Sequence, residues 1–333
     1  MAATPDVVFR GRDGPMQGPV SNDADVVSVE NLHKAYGATV AVEDVTFSVR
    51  AGEIFGILGR NGAGKTTTVE CLSGLRVPDG GRLDVLGLDP REERRELHER
   101  VGVQLQESAL PPKIRVGEAV ELYASFYRRP ADGNHLLGVL ELDEKRHSYY
   151  RELSGGQRQR LSIVLALIGQ PEIAILDELT TGLDPQARRE TWELIEGVRD
   201  RGVTILLVTH FMEEAERLCN RVALIDHGKV IALGPPEHLG KQASTSKRVR
   251  LRATGQLPDA VLEALLEVSF VEHHGPDIVV VGSGNLVTAV VLAFERAGLV
   301  AADVRTETST LEDAFLALTD AADADADASG LKR

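Results

Sequence analysis

The chain has 333 residues, 43% of them hydrophobic, with a formal net charge of −14. That length gives room for two domains of roughly 100–200 residues each, with a sizeable apolar core. The acidic balance excludes a nucleic-acid partner held by bulk electrostatics. Cys71 and Cys219 lie too far apart in the sequence to form a ligand cluster, and read as buried thiols of a reduced cytosolic protein. No apolar run approaches the ~18 residues of a membrane span; LSIVLALIG (161–169) and VTILLVT (203–209) come nearest. Arg10 and Arg12 are followed by no apolar stretch, so no signal peptide is expected.

Residues 1–25 are rich in Gly, Pro and Asp without periodicity, and are expected to be disordered. From Val26 to about Gly240 strands and helices alternate, which predicts an α/β layer with mainly parallel strands. EIFGILG (53–59) reads as a short buried strand and KTTTVECLSGL (65–75) as a helix. The residues that join them, GRNGAGKT, match G-x-x-x-x-G-K-[ST] at every fixed position. Glycines let successive backbone N–H groups turn inward around an anion, and the helix N-terminus adds its dipole. The candidate phosphate-binding set is therefore Gly59, Arg60, Asn61, Gly62, Ala63, Gly64, Lys65, Thr66 and Thr67. Lys65 supplies a cation for the β- and γ-phosphates, and the Thr66 hydroxyl is a Mg²⁺ ligand.

REERRELHER (91–100) alternates acids and bases, as a solvated helix face does. In LSGGQRQRL (153–161), Ser154 is a good N-cap and Gln157 stands at N3, the two ends of a capping box. Gly155 and Gly156 are costly in a first helical turn unless something approaches the backbone closely. IAIL (173–176) reads as a buried strand that delivers Asp177 and Glu178 at its C-terminal tip, where ligands bind in open α/β sheets. Asp177 is a candidate Mg²⁺ ligand and Glu178 a candidate general base for an attacking water.

LGPPEHLGKQASTSK (233–247) looks like a domain exit. A smaller pattern follows at 241–319: strands at RVRLRAT, VSFVEHH, DIVVVG and VAADVRT, and helices at DAVLEALLE, LVTAVVLAFERAG and LEDAFLALT. That is a small α+β domain with about four strands. Residues 320–333 alternate Ala and Asp, as expected of an acidic solvated tail.

Taken in order, these motifs resemble the nucleotide-binding subunits of ABC transporters, a branch of the P-loop NTPases, over roughly Val26 to Gly240. The resemblance implies further roles. Tyr36 in HKAYG would stack on adenine. Gln106 in QLQES would touch Mg²⁺ and the water, with Gln104 a close competitor. Asp184 in TTGLDP would stand at a dimer interface, and His210 in LLVTH would contact the γ-phosphate. Two departures stand out: Leu179 occupies the family's usual proline position after Glu178, and Thr181 a usual serine position. Neither removes a ligating atom, but the first bears on the turn that carries Glu178.

The implied mechanism is a sandwich in which Mg²⁺ and ATP sit on each phosphate loop, completed by Ser154 and Gly156 of a second subunit. A homodimer is the default, since one chain carries one set of motifs. A helical subdomain at about 107–160, including GEAVELYASFY (117–127), would dock onto a separate transmembrane permease. That would hold the protein at the cytoplasmic face of the membrane. STLEDAFLALT (309–319), after the small domain, resembles the end of daunorubicin-resistance type drug and antibiotic exporters. The alternative is a non-transport ABC ATPase acting on a ribosome or nucleic-acid complex. It is disfavoured by the single cassette and by the absence of heptads between phosphate loop and LSGGQ.

Overall fold

The computed structural model describes residues 24–104, 110–243, 247–253, 255, 257–275, 277–307, 310–316 and 318–319. Gln106, the terminal stretch 1–23 and the tail 320–333 lie outside them. The chain divides into two compact units, Met1–Pro235 and Pro236–Arg333.

The first unit opens on a long hairpin, β1 (Asp25–Tyr36) and β2 (Thr39–Arg50). Gly37 turns it, with φ of 60°. There follow β3 (Ile54–Leu58), α1 (Lys65–Leu72), β4 (Gly80–Val85), α2 (Arg94–Arg100) and β5 (Val101–Gln104). The chain continues through α3 (Val116–Ala124), α4 (Gly133–Val139), α5 (Gly155–Leu167), β6 (Ile173–Asp177) and α6 (Pro185–Arg199). β7 (Thr204–Thr209), α7 (Met212–Leu218), β8 (Arg221–Asp226) and β9 (Lys229–Gly234) complete it.

The nine strands form one sheet in the order β4-β1-β2-β9-β8-β3-β7-β6-β5. From β8 to β5 every pairing is parallel. β3, β6 and β7 are buried at every residue. Their unbroken apolar runs are what a parallel strand covered on both faces requires. The expectation of an α/β layer with mainly parallel strands holds, β2 and β9 also pairing parallel, and an antiparallel part stands beside it. β1 pairs antiparallel with β2 and β4, and β8 pairs antiparallel with β9. The reason is local: a two-residue turn can return a chain only antiparallel, and the burial of β2 runs in and out of the core instead of being continuous. β1 and β2 still share the core, where the rings of Phe47 and Phe55 stack with centroids 5.1 Å apart. Cys71 lies in that core, and it and Cys219 are buried free thiols, as read from the sequence.

The second unit contains α8 (Pro236–Ala243), β10 (Lys247–Ala253), α9 (Asp259–Glu263), β11 (Val268–His274), β12 (Asp277–Gly282), α10 (Leu286–Arg296) and β13 (Ala301–Glu307). A short helix follows at 311–316. Its four strands make an antiparallel sheet in the order β11-β12-β10-β13. β10 sends Val249 and Leu251 into the core. On its other face Arg250 and Arg252 hold Asp277 at 3.3 and 2.6 Å. α10 buries Leu286, Val290, Ala293 and Phe294 against that core, a stripe at helical spacing.

Phe294 is wholly buried. Phe294→Ala is therefore expected to destabilise the second unit by about 3–5 kcal/mol. Denaturant unfolding followed by circular dichroism should show an early transition, with nucleotide affinity of the first unit retained.

Candidate functional site

The phosphate-type loop is built where neighbouring backbones leave no room for a side chain. A Cβ at Gly64 would lie 2.4 Å from the Ala41 carbonyl oxygen, and one at Gly59 would lie 2.1 Å from that of Ile225. Gly64 is also the residue that starts α1, at φ of 100° and with no side-chain cap. The first amides of α1 are thus left to face an anion.

Lys65 turns back into this loop. Its Nζ donates to the carbonyl oxygens of Gly59 at 2.9 Å and Arg60 at 3.1 Å. It is 5% exposed. Burial lowers its pKa, against the raising effect of Glu178 and Asp177.

Asp177 ends β6 with no exposed surface. The Thr66 hydroxyl donates to its Oδ2 at 3.4 Å, while its Oδ1 has no hydrogen-bond partner. Burial, reinforced by Glu178, raises the Asp177 carboxyl to about 6, with Lys65 and Thr66 opposing. An orphaned buried carboxylate oxygen beside a threonine hydroxyl fits Mg²⁺, which takes one or two protein oxygens and keeps its other positions for water and phosphate. The Asp177 backbone N–H donates to Gln104 Oε1 at 3.2 Å. Gln104, the competitor of Gln106, is therefore fastened to the strand tip that carries the carboxylates.

Glu178 has left-handed backbone, φ 49°, a conformation that costs of order 1–3 kcal/mol outside glycine. Its N–H donates to Val208 O at 2.8 Å, and Leu179 after it is fully buried. The residue at the family's proline position thus serves as a core anchor for the turn. Glu178 Oε1 lies 3.2 Å from His210 Nδ1, with the glutamate side chain 8% and the histidine 31% exposed. Lys65, Thr66, Asp177, Glu178 and His210 thereby meet at the C-terminal tips of β3, β6 and β7.

Ser154 and Asp184 form a second group. Ser154 Oγ accepts from the Gln157 N–H at 3.3 Å, and the Gln157 side chain accepts from the Ser154 N–H at 3.0 Å. The capping box read from the sequence is present. Asp184 caps α6 by accepting from the N–H groups of Gln186 and Ala187, both at 3.0 Å. These backbone bonds hold its carboxyl below the usual range. The nearest foreign atom to a Cβ at Gly155 belongs to Leu183 at 3.6 Å, and at Gly156 to Ala187 at 3.5 Å. Those are ordinary contacts, so packing within this chain does not require either glycine.

Tyr36 stands apart at the end of β1, 42% exposed. The Arg76 guanidinium carbon lies 5.5 Å from its ring centroid, and Arg76 Nε donates to Glu70 of α1 at 3.0 Å. Sequence reasoning missed Arg76, because its partner stands six positions back, across the end of α1.

Against known proteins, residues 42–181 match the ABC transporter family profile. Nod factor export ATP-binding protein I of Ralstonia nicotianae is 43% identical over 227 residues, 67% of this chain and 71% of that one. A daunorubicin resistance ATP-binding protein of Streptomyces coeruleorubidus is 36% identical over 303 residues, 88% of this chain and 95% of that one. Among solved structures, an ATP-binding subunit of an ABC transporter aligns with TM-score 0.59 at 29% identity, covering 65% of this chain and 92% of that one. A dimeric ATP-binding cassette with ADP and Pi bound, in a post-hydrolysis state, aligns with TM-score 0.57 at 26% identity, covering 63% and 98%. The chain belongs to the ATP-binding subunits of ABC transporters, an ATP-hydrolysing family with the P-loop α/β fold. Among the described residues no helix is long and apolar enough to cross a membrane.

Asp177 carries a pH prediction. Its carboxyl is raised in the folded state to about 6, above the ~3.9 of an unfolded chain. The folded protein therefore holds this proton more tightly, and the favourable term is lost as pH rises from 4 through 6. Asp177→Asn should be more stable than wild type in EDTA without nucleotide. The gap should open between about pH 4 and 6 and level off above at about 1–3 kcal/mol. Urea unfolding across that range measures it; a gap independent of pH overturns the assignment.

Proposed function

We propose that this subunit binds Mg²⁺ and ATP at the Lys65 loop and powers export of a drug-like or hydrophobic substrate through a separate transmembrane permease. The observation that carries the hydrolytic reading is the half-buried pairing of Glu178 with His210 beside Lys65 and Asp177. The export reading is supported by the relatives, one named for Nod factor export and one for daunorubicin resistance.

The loop amides of Gly59 to Thr67, with Arg60, Asn61, Gly62, Ala63 and Gly64 among them, cradle the phosphates. On binding, Lys65 exchanges its two carbonyl partners for phosphate oxygens. Thr66 and Asp177 would hold Mg²⁺, together with Gln106. The ion would offset phosphate charge as the leaving group departs. Glu178 accepts a proton from the attacking water, and His210 fixes the Glu178 carboxylate and contacts the γ-phosphate. Tyr36, with Lys34 and Arg76 at 5.6 and 5.5 Å from its ring centroid, would stack on adenine.

Ser154, Gly155, Gly156 and Gln157 act on the nucleotide of a second copy. The room left at both glycines by the chain's own packing supports close approach from outside. Asp184 lies beside them, facing the same partner. The segment with α3 and the exposed Phe126 and Leu122 offers an apolar surface to the permease.

Two experiments test this. Glu178→Gln should retain ATP binding and lose hydrolysis by roughly 10²-fold or more, since it removes the general base. ATP should then hold a dimer visible by size-exclusion chromatography; near-wild-type turnover refutes the role. Mixing Lys65→Ala with Ser154→Arg chains should recover part of the activity that neither has alone, because one site of the mixed dimer keeps both intact halves. Proven heterodimers with no recovery would count against a shared site.

A further inference from the structure

Glu214 is a buried carboxylate that the proposed chemistry does not use. It lies in α7 with no exposed surface. Its Oε1 accepts from the Trp192 indole N–H at 3.0 Å, and its Oε2 has no hydrogen-bond partner. A buried carboxylate with one neutral donor is costly, and an apolar pair of similar volume would seat α7 on α6 at lower cost. The feature points to a geometric requirement.

Trp192 is the middle of three rungs between α6 and α7. On one side of it, the Arg188 guanidinium carbon lies 4.5 Å from the Phe211 ring centroid. On the other, Glu196 accepts two hydrogen bonds from Arg217, at 2.7 and 3.1 Å. Residues 188, 192 and 196 share one face of α6, and 211, 214 and 217 are spaced to meet them. The outer Glu196–Arg217 rung is half-exposed at its arginine and contributes little. The Arg188–Phe211 rung reaches the site, and the Trp192–Glu214 rung is the buried bond next to it. Phe211 follows His210, their ring centroids are 4.1 Å apart, and His210 Nδ1 meets Glu178 at 3.2 Å. At its head α6 is capped by Asp184. On its flank Glu190 accepts from Arg160 of α5 at 2.6 Å, which ties it to the helix headed by Ser154.

We propose that Trp192, Glu214 and Arg188 are positioning residues for hydrolysis: they lock α7 onto α6 so that Phe211, and with it His210, is held against Glu178. The inference rests on the roles given above to Glu178 and His210. None of the three touches substrate. Because the phosphate loop stands on α1, their loss acts on turnover and leaves nucleotide binding in place.

The test is steady-state ATPase kinetics of the purified full chain, with binding of a fluorescent ATP analogue, in a double-mutant cycle with His210→Ala. Trp192→Phe keeps the ring packing and removes the donor. It should lower kcat about 10-fold with KM and analogue affinity within about twofold. Glu214→Ala should do the same, while Glu214→Gln, which keeps the acceptor, should restore kcat to within about threefold. In the His210→Ala background, Trp192→Phe should cost no more than about twofold further, since both act on one group. Wild-type kcat in Trp192→Phe, or an equal loss with and without His210, overturns the inference. If Trp192→Phe does not fold, Arg188→Met enters the same cycle with an expected loss of about threefold. A His210→Ala protein with wild-type kcat defeats the site reading itself, and the inference with it.

Discussion

The site depends on one constraint: two adjacent carboxylates, Asp177 and Glu178, are held at a buried strand tip within the field of a single buried lysine. Asp177 has no exposed surface and Lys65 is 5% exposed. Burial disfavours the charged form of each, and each favours it in the other. Asp177 Oδ1 lacks a partner and Lys65 rests on loop carbonyls.

The sheet makes this convergence possible. β3, β7 and β6 are adjacent and parallel, so the residues after each strand emerge at the same edge. The loop after β3 gives the glycine turn, the end of β6 the carboxylates, and the end of β7 His210. The antiparallel pairings of β1, β2 and β4 give the sheet a second part with another task. β2 passes its Ala41 carbonyl against Gly64, and β1 carries Tyr36 to its tip. The strained turn at Glu178 belongs to the same design. Its φ of 49° is retained because Leu179 is buried and the Glu178 N–H is bonded to β7.

Helices α5, α6 and α7 form a connected layer through Arg160–Glu190, Arg188–Phe211 and Trp192–Glu214. The heads of α5 and α6 carry Ser154 and Asp184, and Phe211 packs on His210 with ring centroids 4.1 Å apart. Ser154 and Asp184 at the helix heads and His210 beside Glu178 are therefore joined through these side chains. Their contacts run between helices far apart in sequence, so no local motif reports them.

The sequence by itself determined the local motifs that meet at the site and the outline of the fold. The phosphate loop, the capping box at Ser154 and the carboxylates after IAIL are local patterns. Each depends on residues within a few positions of one another, and each was found where it was read. In the second unit β10 alternates in and out of the core and α10 repeats at helical spacing, so both were legible for the same reason. Tertiary structure alone decided what depends on distant partners. The order of the nine strands, with β2 beside β9 and β3 between β8 and β7, joins segments far apart in sequence. The 3.2 Å approach of His210 to Glu178 spans 32 positions. The Trp192–Glu214 bond spans 22. Hydrophobic periodicity records which face of an element is buried, and carries no information about which buried side chain meets which.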